Sequence, residues 1–322
     1  MKFLIRIAPM LVGLALVAEA RTWTSVSGKQ LEAEYVSQAY GRVTLKSPQG
    51  EMFNIQLAKL SAEDQTYLRD RARPAPTAAS GRTAAATAAA VPPAPRPGSP
   101  EVLTQMIPGQ TFMRTAAGKS GITYHVRVPP TYKSGDALPL FIAFSAQGKG
   151  RSALNAISAS TDKAGWIAIG CDKLMNSMDL SDTLIDEMED ELLEDIYHNV
   201  PHDPHRVYLG GHSGGGMRAY GITARRAEPF AGVLAFGGWL GGPDFQTKTY
   251  CRHMAVAMLN GAQDESANSW VESDTKALEL RKCHVKLFAY PGGHSTPTPT
   301  EVTDECIRWL EEDWKTHGSQ AH

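Results

Sequence analysis

Gly211-His212-Ser213-Gly214-Gly215 sets a serine between glycines, and the chemistry open to such a serine is attack on a carbonyl carbon. The run has the G-x-S-x-G form of a nucleophile elbow, a turn so sharp that small neighbours are needed for strand and helix to close on each other. Val207-Tyr208-Leu209 ahead of it is β-prone, and Met217 to Arg226 behind it is a good helix former, so the strand–turn–helix setting is present. The turn lifts the hydroxyl clear of the sheet edge at a helix N-terminus, where partial positive charge favours a developing oxyanion.

Serine at neutral pH needs a base, and the base needs an acid to orient it. With an elbow of this kind the expected chain order is Ser, Asp, His, each just after a strand. The apolar run His253 to Leu259 ends in Asn260-Gly261-Ala262-Gln263-Asp264-Glu265, and the alternating run Val285 to Tyr290 ends in Pro291-Gly292-Gly293-His294. Ser213 is therefore read as nucleophile, His294 as base and then acid, and Asp264 as the carboxylate that holds the imidazole tautomer. Glu265 is the main rival for the acid, and Asp244, after Gly241-Gly242-Pro243, a weaker one. His212 adjoins the serine on its strand side and is expected to pack or to cap a loop. His202 and His205 flank Asp203-Pro204 in a turn expected to be solvated at the opposite end of the sheet, where His253 and His284 also begin strands.

An oxyanion needs two backbone donors. Gly214, after the nucleophile, is expected to give one; Gln147, with Ala146 next, is expected to give the other from the loop after Leu138 to Phe144. Trp239, after Phe236-Gly237-Gly238, is expected to line the substrate pocket or to pack as a glycine-bordered core residue. Leu184, Met188, Leu192 and Ile196 predict an inward helical stripe, with Asp186, Glu187 and Glu191 on the solvated face.

Residues 101–322 resemble the α/β-hydrolases, in particular secreted esterases related to polyhydroxybutyrate depolymerases and feruloyl or acetylxylan esterases. The resemblance runs through Leu138–Phe144, Trp166–Gly170, Asp203-Pro204-His205-Arg206-Val207-Tyr208, the elbow, Glu228-Pro229-Phe230-Ala231-Gly232-Val233 and the Asp264 and His294 loops. Where such esterases carry His-Gly after the third strand, this chain has Ser145-Ala146. The resemblance implies a doubly wound, mostly parallel sheet and an ester substrate with no cofactor. The short interval from Val233 to His253 leaves little room for a lid, which suits polymer- or glycan-attached esters. A serine peptidase of the prolyl-oligopeptidase type, or a non-catalytic binding protein that retains the fold, are the competing readings.

Around this region the chain is composite. Lys2 and Arg6, the apolar stretch Ile7–Val17 and Ala18-Glu19-Ala20 read as a cleavable signal peptide, so a secreted or periplasmic protein without stable membrane insertion is expected. Cleavage after Ala20 leaves 30 basic and 33 acidic residues, a balance that speaks against nucleic-acid binding by bulk charge. All four cysteines, Cys171, Cys251, Cys283 and Cys306, lie beyond residue 100; Cys251 and Cys283 are the preferred disulfide pair, and Cys306 sits on an apolar helical stripe as a candidate buried thiol. No spacing resembles a zinc site, and no metal is expected. In residues 21–73, Trp23-Thr24, Glu34-Tyr35-Val36, Arg42–Leu45 and Phe53-Asn54-Ile55 read as short strands, and Ser61-Ala62-Glu63-Asp64 as a helix start. Arg21-Thr22-Trp23-Thr24, a Gly-centred turn, Val43-Thr44-Leu45 and Leu57–Ser61 resemble the SH3-like Sla-homology domain, a small β-barrel. A protein or cell-wall ligand is the functional expectation for it, and a folded spacer the alternative. Pro74–Pro100, almost wholly Ala, Pro, Thr, Ser, Gly and Arg, reads as a disordered linker.

Overall fold

The computed structural model describes residues 20–39, 42–56, 59–71, 96–226 and 228–318. Residues 1–19 of the expected signal peptide, the turn at Tyr40-Gly41, Leu57-Ala58 and most of the Ala/Pro-rich stretch lie outside the described residues. Two compact units divide after Arg71.

In the smaller unit four strands, β1 (Arg21–Thr24), β2 (Gln30–Ala39), β3 (Arg42–Lys46) and β4 (Met52–Gln56), pair in sequence order, each antiparallel to the next. A single bridge between Ser25 and Leu60 brings the chain after β4 back to the end of β1. Ser61 caps helix α1 (Ala62–Arg71), its Oγ accepting the Asp64 N–H at 3.1 Å. Asp64 in turn accepts from Thr24 N–H and from Arg21, both at 2.6 Å, which fastens the helix start to β1. Beneath lie Trp23, Ala33, Val43, Leu45, Leu60 and Leu68, all buried.

The larger unit begins earlier than the sequence suggests. Arg96 already exchanges backbone hydrogen bonds with His202, and Ser99 caps the short helix α2 (Pro100–Leu103). His202 is correspondingly buried rather than solvated, its Nδ1 bonded to the Val200 carbonyl, and desolvation lowers its pKa. Eight strands follow: β5 (Thr111–Thr115), β6 (Thr123–Arg127), β7 (Leu140–Ser145), β8 (Ile167–Cys171), β9 (Val207–His212), β10 (Gly232–Phe236), β11 (Ala255–Gly261) and β12 (His284–Tyr290). They lie in the order β12-β11-β10-β9-β7-β8-β6-β5, parallel from β12 to β8 and antiparallel across β6 and β5.

Along β7 the side chains alternate. Leu140, Ile142 and Phe144 pack on one face with Leu192 and Ile196 of α4 (Asp182–Asn199) and Ala219 and Tyr220 of α5 (Gly214–Arg225). Phe141 and Ala143 pack on the other with Leu154 and Ile157 of α3 (Gly150–Ala164) and Ile307 and Leu310 of α9 (Thr300–His317). Both faces are thus covered, which is why these strands read as nearly continuous apolar runs. Because the chain leaves adjacent strands β7 and β9 toward opposite faces, a crevice opens at their C-terminal ends.

The α4 stripe is rotated from its expected register. Leu184 is 47% exposed, whereas Ile185, Glu189 and Asp195 are buried. Partners from other elements make the acids tolerable inside. Glu189 pairs with Arg218 and Arg225, and Asp195 accepts from Tyr124 Oη at 2.7 Å. Glu191, expected on the solvated face, accepts backbone N–H groups of Lys119 and Ser120.

Asp274, on α8 (Val271–Glu279), is buried beneath the loop after β10, accepting Leu240 N–H at 2.9 Å and Gln246 Nε2 at 2.8 Å. Desolvation outweighs these bonds and pushes its pKa up to about 6. A carboxyl raised in the folded state stabilises it below the unfolded value, and that contribution is lost as pH rises through the folded value. From about pH 4 to above pH 6 the loss amounts to about 3 kcal/mol. Asp274→Asn keeps an acceptor for Leu240 and can pair with a reversed Gln246 amide. The difference in unfolding free energy between variant and parent, followed in urea at pH 4.5 and 7.5, is expected to grow in the variant's favour at the higher pH.

Candidate active site

Ser213 lies between β9 and α5 with φ 55° and ψ −119°, a backbone conformation that a side chain rarely adopts. Its N–H donates to Phe236 O at 2.8 Å, and its carbonyl accepts from Gly216 and Met217, so the turn is held from both sides. Close approach explains the glycines. A Cβ at Gly211 or at Gly215 would stand 2.1 Å from the Phe144 carbonyl of neighbouring β7.

Asp264 and His294 follow β11 and β12, two and three strands from the serine. His294 Nε2 is 2.9 Å from Ser213 Oγ, and His294 Nδ1 is 2.8 Å from Asp264 Oδ2. Asp264 is 1% exposed, and its second oxygen accepts Ala267 N–H at 3.1 Å as the N-cap of α7 (Glu265–Asn268). One carboxylate therefore faces the imidazole while being fixed by the helix it starts. Glu265 is exposed, and Asp244 lies in α6 (Pro243–Gln246) after β10; the carboxylate bonded to the imidazole is that of Asp264. His212 does not reach the serine hydroxyl. Its Nε2 is bonded to the His294 carbonyl at 2.7 Å, which anchors the loop that carries the imidazole.

The expected oxyanion donors differ in their readiness. Gly214 N–H, in the first turn of α5, has no acceptor among the described residues. Gln147 N–H is turned onto Ser145 Oγ at 3.2 Å, because the hydroxyl at the end of β7 closes a local turn there. Gln147 also bridges to Met175 in the loop after β8, and Asn176 N–H donates to Ala146 O at 3.0 Å. This places the Asn176 amide, a group not anticipated from sequence, directly over Gly214, where a Cβ would meet its Oδ1 at 1.8 Å. The loop is braced from below by Arg218, which bonds to Met175 O at 3.1 Å and pairs with buried Glu189. Trp239 is half-buried in the loop after β10.

Gly237 is a second residue at the site that no local sequence pattern announces. It has φ 58°, and a Cβ there would lie 2.9 Å from Asp264 Oδ2 and 3.4 Å from His294 Nδ1. Gly237→Ala is expected to spread that pair apart and to destabilise the fold by about 1–3 kcal/mol through the left-handed backbone. A displacement near 1 Å at reacting groups costs roughly 100-fold in rate, so kcat/KM for a short p-nitrophenyl ester should fall by about that factor.

The cysteine expectation is corrected. All four thiols are free: Cys283 Sγ points to Cys251 O at 3.5 Å and Cys251 Sγ to Glu228 O at 3.6 Å, so the two neighbours turn their sulfurs to carbonyls rather than to each other. Cys306 is fully buried.

Among solved structures, esterase 2 of Thermogutta terrifontis phosphoramylated by tabun is similar at 12% identity and TM-score 0.52, covering 64% of this chain and 95% of that one. An esterase of Pyrobaculum calidifontis is similar at 13% identity and TM-score 0.51, covering 66% and 89%. The larger unit has the α/β-hydrolase fold. A ferulic acid esterase is also similar to this α/β-hydrolase unit, at 12% identity and TM-score 0.50, covering 64% of this chain and all of that one. Residues 15–74 match the SLA1 homology domain 1 family, SHD1. No curated protein sequence matches the chain. No helix among the described residues is long and apolar enough to cross a membrane.

Proposed function

We propose that this protein is an exported serine hydrolase that cleaves carboxylic esters through an acyl-enzyme on Ser213. The observation that carries the reading is the unbroken contact from Ser213 Oγ through His294 to Asp264, at 2.9 and 2.8 Å, at the strand ends. His294 takes the serine proton as Oγ attacks the ester carbonyl, and Asp264 stabilises the imidazolium that forms. Gly214 N–H receives the oxyanion, joined by Gln147 N–H once the Ser145 hydroxyl rotates away. Each such donor is worth about 3–4 kcal/mol in the transition state. The Asn176 amide adds a polar wall on the Gly214 side. His294 then protonates the departing alcohol, and water releases the acid by the same route.

Similarity to proteins named as esterases supports an ester over an amide. The side chain of His294 is 33% exposed, which supports an open site and a bulky or polymer-attached substrate. Export rests on the Lys2/Arg6, apolar and Ala18-Glu19-Ala20 pattern. The SHD1 unit is read as a docking module for a protein or cell-wall ligand; retention of the full chain on cell-wall fractions, compared with a chain lacking residues 21–71, measures this.

A fluorophosphonate probe tests the central reading. One adduct per chain on Ser213 is the expected mass-spectrometric result, and a folded protein that stays unlabelled would sink it. Acetyl, feruloyl and hydroxybutyryl esters beside aminoacyl amides then rank the substrate classes.

A further inference from the structure

At the opposite end of the sheet three side chains converge that the serine chemistry does not use. His284 opens β12, and Asp313 and His317 sit one turn apart on α9. Asp313 Oδ1 lies 2.8 Å from His284 Nδ1 and 3.0 Å from His317 Nδ1, the two rings are 4.1 Å apart, and all three donor atoms fall within 4.8 Å of one another. A third imidazole stands beside them. His253 is 5.5 Å from the His284 ring, held at φ 62°, with a buried Nδ1 that has no hydrogen-bond partner.

We infer that His284, Asp313 and His317 form a binding site for a divalent transition-metal ion of the zinc type, which clasps the C-terminal helix to the edge strand. Two imidazole nitrogens and one carboxylate oxygen are the donor set such ions take, whereas calcium and magnesium prefer oxygen alone. Ligands about 2.0–2.1 Å from a tetrahedral ion stand about 3.4 Å apart, so Asp313 Oδ1, now 2.8 and 3.0 Å from the two imidazole nitrogens, needs to move from each by only about half an ångström. Binding through Nδ1 moves each ring proton to Nε2, and no proton is lost from the neutral imidazoles. With side-chain exposures of 27%, 9% and 35%, the site is half open, and a fourth position is left for water. The ligands come from strand and helix 29 and 33 residues apart, so no motif spacing announces them.

Metal-stripped full-length protein is titrated with zinc chloride by calorimetry, alongside His317→Ala and the double variant His284→Ala/His317→Ala. One equivalent should bind with a micromolar or tighter Kd, weakened at least 10-fold in the single variant and abolished in the double one. Zinc at about 100 times Kd should raise the melting temperature of the parent by about 5 °C and leave the double variant unmoved. His317 lies in the exposed last turn of α9, so His317→Ala is expected to fold, with circular dichroism as the check. Absence of stoichiometric binding, or equal binding by a folded His317→Ala protein, overturns the inference. Neither result bears on Ser213.

Discussion

Ser213→Ala is expected to lower kcat for short p-nitrophenyl esters by about 10⁴- to 10⁶-fold while shifting stability by no more than about 0.5 kcal/mol. The two halves of this expectation have separate grounds. Removing the hydroxyl removes the only atom that can form the acyl-enzyme, and the remaining oxyanion donors provide what activity is left. The fold loses little because, among the described residues, the Ser213 side chain makes its hydrogen bond to His294 alone, while the backbone bonds of the turn involve its N–H and carbonyl. Ser213→Gly sharpens the test. At φ 55° and ψ −119° a side chain costs about 1–3 kcal/mol, so the glycine variant should be equally inactive and about 1 kcal/mol more stable than its parent. Thermal melts of the three proteins, run beside the kinetics, distinguish a strained nucleophile from an idle turn. Undiminished turnover in either variant would overturn the role given to Ser213.

What could be read from sequence was whatever depends on neighbours along the chain. The elbow declares itself because Gly211 and Gly215 both meet the Phe144 carbonyl, a constraint that leaves its mark within five residues. The loops holding Asp264 and His294 were legible because each follows an alternating or apolar strand whose end can be seen locally. The rest depended on partners brought in by folding. Glu189 looks like a surface acid until Arg218, 29 residues on, meets it inside, and that pair turns the α4 stripe away from Leu184. His202 reads as a solvated turn residue until Arg96 closes over it. Asn176 carries no signal of its own; its place over Gly214 comes from the bridge between the loops after β7 and β8. Cys251 and Cys283 precede the paired strands β11 and β12, yet adjacency of strands fixes only the backbone, and the sulfurs point elsewhere.

Asp264→Asn should reduce kcat by about 10⁴-fold with the fold nearly intact. The carboxylate has two tasks on two oxygens: Oδ2 faces His294 Nδ1 at 2.8 Å and Oδ1 accepts Ala267 N–H at 3.1 Å. Asparagine retains an oxygen for the helix cap, so α7 keeps its start. Its amide nitrogen then faces His294 Nδ1 and donates where the carboxylate accepted. That selects the tautomer protonated on Nε2, which cannot take a proton from Ser213, and it withdraws the negative charge that stabilises the imidazolium. Asp264→Ala removes the cap as well and should lose a further ~1 kcal/mol of stability. If the carboxylate acted only as a cap, Asp264→Asn would keep its activity and Asp264→Ala would fail mainly through unfolding. Measured at a temperature where both variants are folded, comparable losses of kcat in the two would separate control of the tautomer from support of the helix, because only the first is missing from both.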